Sequence, residues 1–142
     1  MAAIIFDLDG VLADTEGLQY QGWLEALKPY DIITPKQDYI KEYAGKTGSI
    51  IEKEIISKYS LDIPAGKVLR QKEEWLMHWL RTNEAPLMHY AREAIEHFAR
   101  KGIKLAVASG GPREEVELKL RKMKIFSMFD VIATRDDVRR GK

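Results

Sequence analysis

Ile4-Ile5-Phe6-Asp7-Leu8-Asp9-Gly10-Val11-Leu12, almost at the amino terminus, carries the strongest structural signal in this chain. An apolar run rich in β-branched and aromatic residues ends abruptly in two aspartates one residue apart, followed by a glycine. The pattern predicts a strand over Ala3 to Phe6 that is buried on both faces, as in a parallel sheet under helices. Asp7 then leaves the carboxyl end of that strand, where open α/β sheets place their ligands. Asp9 comes two residues later, and Gly10 is expected to turn the chain where a side chain would crowd the site. Two carboxylates this close repel unless a cation or a shared proton relieves them. Mg²⁺ is the natural relief, a hard cation taking oxygen ligands, here from Asp7 and Asp9.

Beyond this stretch the pattern turns helical. Tyr20, Trp23, Leu24 and Leu27 follow the i, i+3, i+4, i+7 rule, and Pro29 closes the helix. A second helix after Pro35 is expected to put Tyr39, Ile40 and Tyr43 on one face and to end at Gly45. A third carries Ile51, Ile55 and Tyr59; a fourth carries Val68, Leu69, Trp75, Leu76, Trp79 and Leu80. The tryptophans and tyrosines of these stripes read as core. No strand is predicted between about Thr15 and Thr82, and a helical bundle fits that segment.

From Pro86 the α/β pattern returns. Ala91, Ala94, Ile95 and Phe98 mark a helix that stops at Gly102 behind the basic pair Arg100-Lys101. Ile103 to Ala108 reads as a strand ending in Ser109-Gly110-Gly111. Pro112 suits the first turn of the next helix, Glu114 and Glu115 complement its dipole, and Val116, Leu120 and Met123 form its buried stripe. Asp130 to Ala133 is a third strand. This order describes an α/β domain interrupted by a helical one. The turn at Ser109-Gly110-Gly111, small residues leading into a helix N-terminus, is a ready anion site as well as an ordinary connection.

Composition narrows the classes. At 142 residues with 45% hydrophobic side chains, the chain has enough apolar surface for a core. A net charge of +1 gives no bulk attraction to nucleic acid or to an anionic membrane, and neither is expected as a partner. With no cysteine, disulfides, thiolate catalysis and cysteine-bound zinc are excluded, which suits a reducing cytoplasm. No apolar run approaches the roughly 20 residues of a membrane helix.

Asp7-Leu8-Asp9-Gly10-Val11-Leu12, with Asp14-Thr15-Glu16 behind it, closely resembles the first motif of the haloacid dehalogenase superfamily, in its phosphatase and β-phosphoglucomutase-like branch. The resemblance implies Asp7 as the nucleophile that becomes an aspartyl phosphate and Asp9 as the general acid/base. It implies a doubly wound, Rossmann-like parallel sheet, incomplete here, with an inserted α-helical cap. The core would be 1–14 and 87–142, the cap with its linkers 15–86. Val107-Ala108-Ser109-Gly110-Gly111 resembles the second motif, so that Ser109 and Gly110 bind the phosphoryl group. Asp136-Asp137-Val138-Arg139-Arg140-Gly141-Lys142 resembles the stretch of the third, so that Lys142 neutralises charge on the nucleophile and the phosphoryl oxygens. Gly45-Lys46-Thr47-Gly48 is similar to the cap's specificity loop, which gives Lys46 the non-transferred part of the substrate; a plain helix-connecting loop explains it as well.

The activity implied by the resemblance is Mg²⁺-dependent hydrolysis of a small phosphorylated metabolite, a sugar phosphate for preference. Phosphosugar mutase chemistry shares the same first steps and stays open. The family pattern continues past the lysine with a strand carrying further metal-binding carboxylates. The chain is therefore expected to be part of a longer polypeptide or a truncated product, and an inactive fragment is a third reading. If it ended at Lys142, its first strand would be an exposed apolar edge, calling for swapped or assisted assembly. A signalling receiver module, which also phosphorylates an aspartate, fits less well because it has no large helical insert after its first strand.

Overall fold

The three short apolar runs form one parallel sheet in the order β1 (Ala3–Phe6), β2 (Lys104–Ala108), β3 (Val131–Ala133). The structure, a computed structural model, describes residues 2–139. Register is continuous across the sheet: Phe6 pairs with Val107, and Ala108 with Ala133. All three strands therefore release their chain at the same edge. Parallel neighbours need long crossovers, and α6 (Arg113–Lys122) lies in the one between β2 and β3. On the β1 to β2 path, α5 (Ala91–Arg100) packs against β2.

The chain divides into two compact units, Met1–Glu16 with Leu80–Lys142, and Gly17–Trp79. The first contains the sheet, whose buried positions include Leu105 and Val107 of β2, Ile95 of α5 and Val116 and Leu120 of α6. Within this unit the outgoing and returning segments are tied together, Asp14 N donating to Pro86 O and Met88 N to Leu12 O, both at 2.9 Å.

The second unit contains α1 (Glu16–Leu27) from Gly17 onward, α2 (Lys36–Tyr43), α3 (Gly48–Lys58) and α4 (Lys67–Thr82) as far as Trp79. Its core gathers Trp23, Leu27, Tyr39, Tyr43, Ile51, Ile55 and Val68. Tyr39 lies between two other rings, 5.3 Å from Tyr20 and 5.6 Å from Tyr43. The N-terminus of α4 has an internal cap: the buried Glu52 carboxylate accepts from Gly66 N (2.6 Å), Val68 N (2.9 Å) and Leu69 N (3.0 Å). One side chain thus satisfies amides that a helix start would otherwise leave orphaned. Among the described residues no helix is long and apolar enough to cross a membrane.

Three details differ from the sequence reading. β1 is not buried on both faces: it forms an edge of the sheet, and its alternate residues Ala3 and Ile5 are exposed, Ile5 to 70%. Ile40 and Tyr59, expected on buried stripes, are exposed as well, at 38% and 36%. Gly10 is required for its backbone, with φ +78°, and not for room, since a Cβ there would meet nothing within 4 Å.

Candidate functional site

The carboxyl edge of the sheet collects three loops, each built from what the strand before it leaves unfinished. After β1 the chain winds tightly over Leu8, whose carbonyl accepts from Leu12 N and Ala13 N, each at 2.9 Å. Leu8, Leu12 and Ala13 are buried, and this anchoring fixes the backbone on either side of Asp9. Asp7 is exposed, and its Oδ1 accepts from Leu8 N at 2.8 Å. Asp9 is only partly exposed, and its Oδ1 accepts from the Thr15 hydroxyl and from Lys119 Nζ, the latter at 2.7 Å.

The loop after β2 is secured by Ser109 N, which donates to Ala133 O at 3.0 Å. Ser109 is buried, and its Oγ accepts from Gly111 N at 3.1 Å. Gly110 beside it is exposed. The expected open helix N-terminus is partly occupied, because Arg113 N already donates to Asp136 Oδ2 at 2.8 Å.

The loop after β3 is a short 3₁₀ turn, Arg135–Asp137, closed by a capping box between Thr134 and Asp137. Arg113 donates to both Asp137 oxygens, at 2.7 and 2.6 Å. That guanidinium, with the Thr134 hydroxyl and amide, holds the Asp137 carboxyl down at about 2. Asp136 and Asp137 therefore brace the edge of the sheet. Lys142, the expected third-motif residue, lies outside the described residues.

The structure adds a group that the sequence reading passed over. Lys119 is fully buried, and its ammonium sits between Asp9 Oδ1 at 2.7 Å and Glu115 Oε1 at 2.6 Å. Burial works against its charge, but Glu115 and Asp9 outweigh that and hold its pKa above the ordinary lysine value. Glu115, read from the sequence as a dipole partner, is itself 3% exposed. It also neighbours the phosphate-binding candidate: a Cβ on Gly111 would lie 3.5 Å from Ser109 Oγ and 3.8 Å from Glu115 Oε1. Asp9, Lys119 and Glu115 thus form one continuous polar array. A signal was present, for position 119 falls on the stripe of Val116, Leu120 and Met123, where a helix of this kind carries an apolar residue.

Lys46 belongs to the helical unit. It is paired with Glu54 at 2.8 Å and lies 5.7 Å from the Tyr43 ring centroid. Both side chains of the ion pair are partly exposed, so the contact is of the weak, exchangeable kind. Gly48 has a packing reason of its own, since a Cβ there would come 2.6 Å from Leu69 Cδ1.

Asp7 and Asp9 offer the hard oxygen donors that Mg²⁺ prefers, and such ions commonly complete their shell with water and substrate phosphate. The donor chemistry fits. Among the described residues no cluster of three acidic, histidine or cysteine side chains could hold a metal on its own. Asp7 is exposed whereas Asp9 is only partly so and has Oδ1 engaged by Lys119, which makes Asp7 the more accessible of the two candidate ligands.

The sequence profile of the haloacid dehalogenase-like hydrolases matches residues 4–142. A phosphorylated carbohydrates phosphatase of Thermotoga maritima is 30% identical over 150 aligned residues, which cover 100% of this chain and 65% of that protein. Protein CbbY of Rhodobacter capsulatus is 26% identical, with 66% of its length covered. Crystal structures of CbbY from Rhodobacter sphaeroides, with phosphate and with xylulose-(1,5)bisphosphate, match with TM-scores of 0.80 and 0.79 at 28% and 27% identity. In both, the match covers 100% of this chain and 67% of the other. The chain thus spans slightly under two thirds of the length of its curated relatives.

Proposed function

The chain belongs to the family of haloacid dehalogenase-like hydrolases, and on that premise we propose that it performs phosphoryl transfer to water from a small phosphorylated metabolite, with phosphorylated sugars as the favoured class. The observation that carries this reading is the convergence of Asp7, Asp9 and Ser109 on one edge of a parallel sheet. The preference for sugars rests on the similarity to a phosphorylated carbohydrates phosphatase.

In this reading an Asp7 oxygen attacks phosphorus while the bond to the leaving oxygen breaks, and Asp9 gives that oxygen its proton. Asp9 then takes a proton from the water that attacks the aspartyl phosphate, releasing inorganic phosphate and restoring Asp7. A carboxylate is an accepted covalent nucleophile, and splitting the transfer into two displacements lets one residue serve as acid and then as base. Ser109 and Gly110 orient the phosphoryl oxygens, and Lys142 supplies positive charge to them. Mg²⁺, held by Asp7 and Asp9, would neutralise charge on the phosphoryl group. The segment 15–86 serves as the cap, excluding water from the reaction, with Lys46 exchanging Glu54 for the non-transferred part of the substrate.

The experiment is a phosphate-release screen of phosphorylated sugars with Mg²⁺, run on the wild type and on Asp7→Asn. Turnover of at least one sugar phosphate is expected, falling by at least about 10³-fold in the variant, as loss of a covalent nucleophile generally requires. Release that persists in Asp7→Asn removes the nucleophile assignment. No release from any sugar phosphate removes the substrate class.

A further inference from the structure

Lys119 reaches across the site to a partner 110 positions away in sequence, although Glu115, one turn earlier on α6, already offers it a carboxylate. A stable helix has no need of an ammonium there. An apolar side chain of similar volume fills such a position at least as well, since a buried ion pair must first be stripped of water. What the lysine does that a methionine could not is hold Asp9. It shares Oδ1 with the Thr15 hydroxyl, so two donors from different segments fix one oxygen of the carboxylate. Glu115 in turn fixes the ammonium: both it and Lys119 are buried, and the pair lies on a regular helix. The anchor is therefore rigid, while Asp9 itself remains partly open to the edge of the sheet.

We propose that Lys119 is a positioning residue, its ammonium held by Glu115 and gripping Oδ1 so that the Asp9 carboxylate keeps one orientation during phosphoryl transfer. The inference rests on the reading of Asp9 as the acid/base. It separates Asp9 from Asp7: the nucleophile stands exposed at the strand end, whereas the proton carrier is held by side chains from two other segments.

The test must distinguish positioning from simple structural support. Replacing Lys119 alone leaves two carboxylates without their cation and invites unfolding, so the informative variant is the double change Glu115→Leu with Lys119→Met, in the full chain. It is expected to melt near the wild-type temperature, with kcat reduced about 10- to 100-fold and KM little changed, because misplacement by an ångström is enough for such a loss. A double variant with wild-type kcat overturns the proposal. A rescue supplies the second readout. The chain has no cysteine, so Lys119→Cys carries a sole thiol. Aminoethylation of that thiol in denaturant, followed by refolding, restores an ammonium of nearly the same reach. Recovery of kcat is expected from this adduct and not from a neutral one of equal size; equal behaviour of the two adducts overturns the proposal. If the wild type shows no Asp7-dependent turnover, the phosphatase reading fails instead. Positioning is then judged from crystal structures of the wild type and the double variant. Asp9 Oδ1 shifts by more than about 1 Å if Lys119 holds it; an unmoved carboxylate overturns the proposal.

Discussion

Glu52 in the helical unit and Lys119 in the sheet unit are both buried charges at the start or heart of a helix, and they are satisfied in opposite ways. Glu52 accepts from three backbone amides around the start of α4. Those donors are set by the helix itself and have no other conformation to offer, so the arrangement contributes stability and nothing else. Lys119 is satisfied by two side chains, one of which, Asp9, stands at the open edge of the sheet. A partner of that kind also faces the edge of the sheet, so this arrangement couples the fold to the site. Burial of a charge does not by itself mark function. What marks it is whether the partners are fixed backbone or side chains that have chemistry of their own.

The single change Lys119→Met should cost the most. It leaves Asp9 and Glu115 facing each other without a cation, and chemical denaturation should show a loss of about 3 to 5 kcal/mol, the usual cost of removing one partner from a buried pair. A loss under about 1 kcal/mol would put Lys119 in the class of exchangeable surface contacts. Glu52→Gln should cost less, about 1 to 3 kcal/mol, because the amide keeps one acceptor but turns a donor toward backbone N–H groups that the carboxylate had satisfied. Its kcat should stay at the wild-type value, and a kinetic defect would contradict a purely structural role for Glu52.

Asp137 sharpens the contrast from a third direction, being a charge satisfied at the exposed surface. Its folded pKa of about 2 lies below the ordinary 3.8. A depressed carboxyl pKa stabilises the fold above the unfolded value, and the contribution fades as pH falls through the folded one. The melting-temperature difference between wild type and Asp137→Asn should therefore be constant above about pH 4 and shrink toward pH 2. A difference that grows on acidification would show that Asp137 is not held by Arg113. The smallest change is expected from Lys46→Ala. Its exposed pair with Glu54 should be worth under about 1 kcal/mol, so melting should hardly move. The relative KM values for different sugar phosphates are where that variant should register.

Much of the fold was legible because it rests on local pattern. The β-branched run ending at Asp7, the proline and glycine punctuation, and the apolar stripes around Trp23, Ile55, Ile95 and Val116 each depend on neighbours within a turn or a strand. For the candidate site, the placement of Asp7, Asp9 and Ser109 just past strand ends was legible, because it sits in short motifs. The site was not legible where a contact joins distant segments. Nothing near Glu115 in the chain says that its helical neighbour Lys119 also reaches Asp9. Nothing near Asp136 says that its oxygen takes the first amide of α6.

The element order, the helical insert, and which residues present carboxylates and a hydroxyl at strand ends were all readable from the chain alone. Local sterics, hydrophobic periodicity and turn chemistry suffice for those, since each acts over a few residues. Packing alone revealed which alternate residues of β1 are exposed, that a Cβ on Gly48 would displace the Leu69 side chain, and that a buried lysine grips Asp9. Those outcomes depend on which segments meet, and desolvation makes each such meeting matter: a charge or a Cβ that is harmless in water becomes decisive once packing removes every alternative partner.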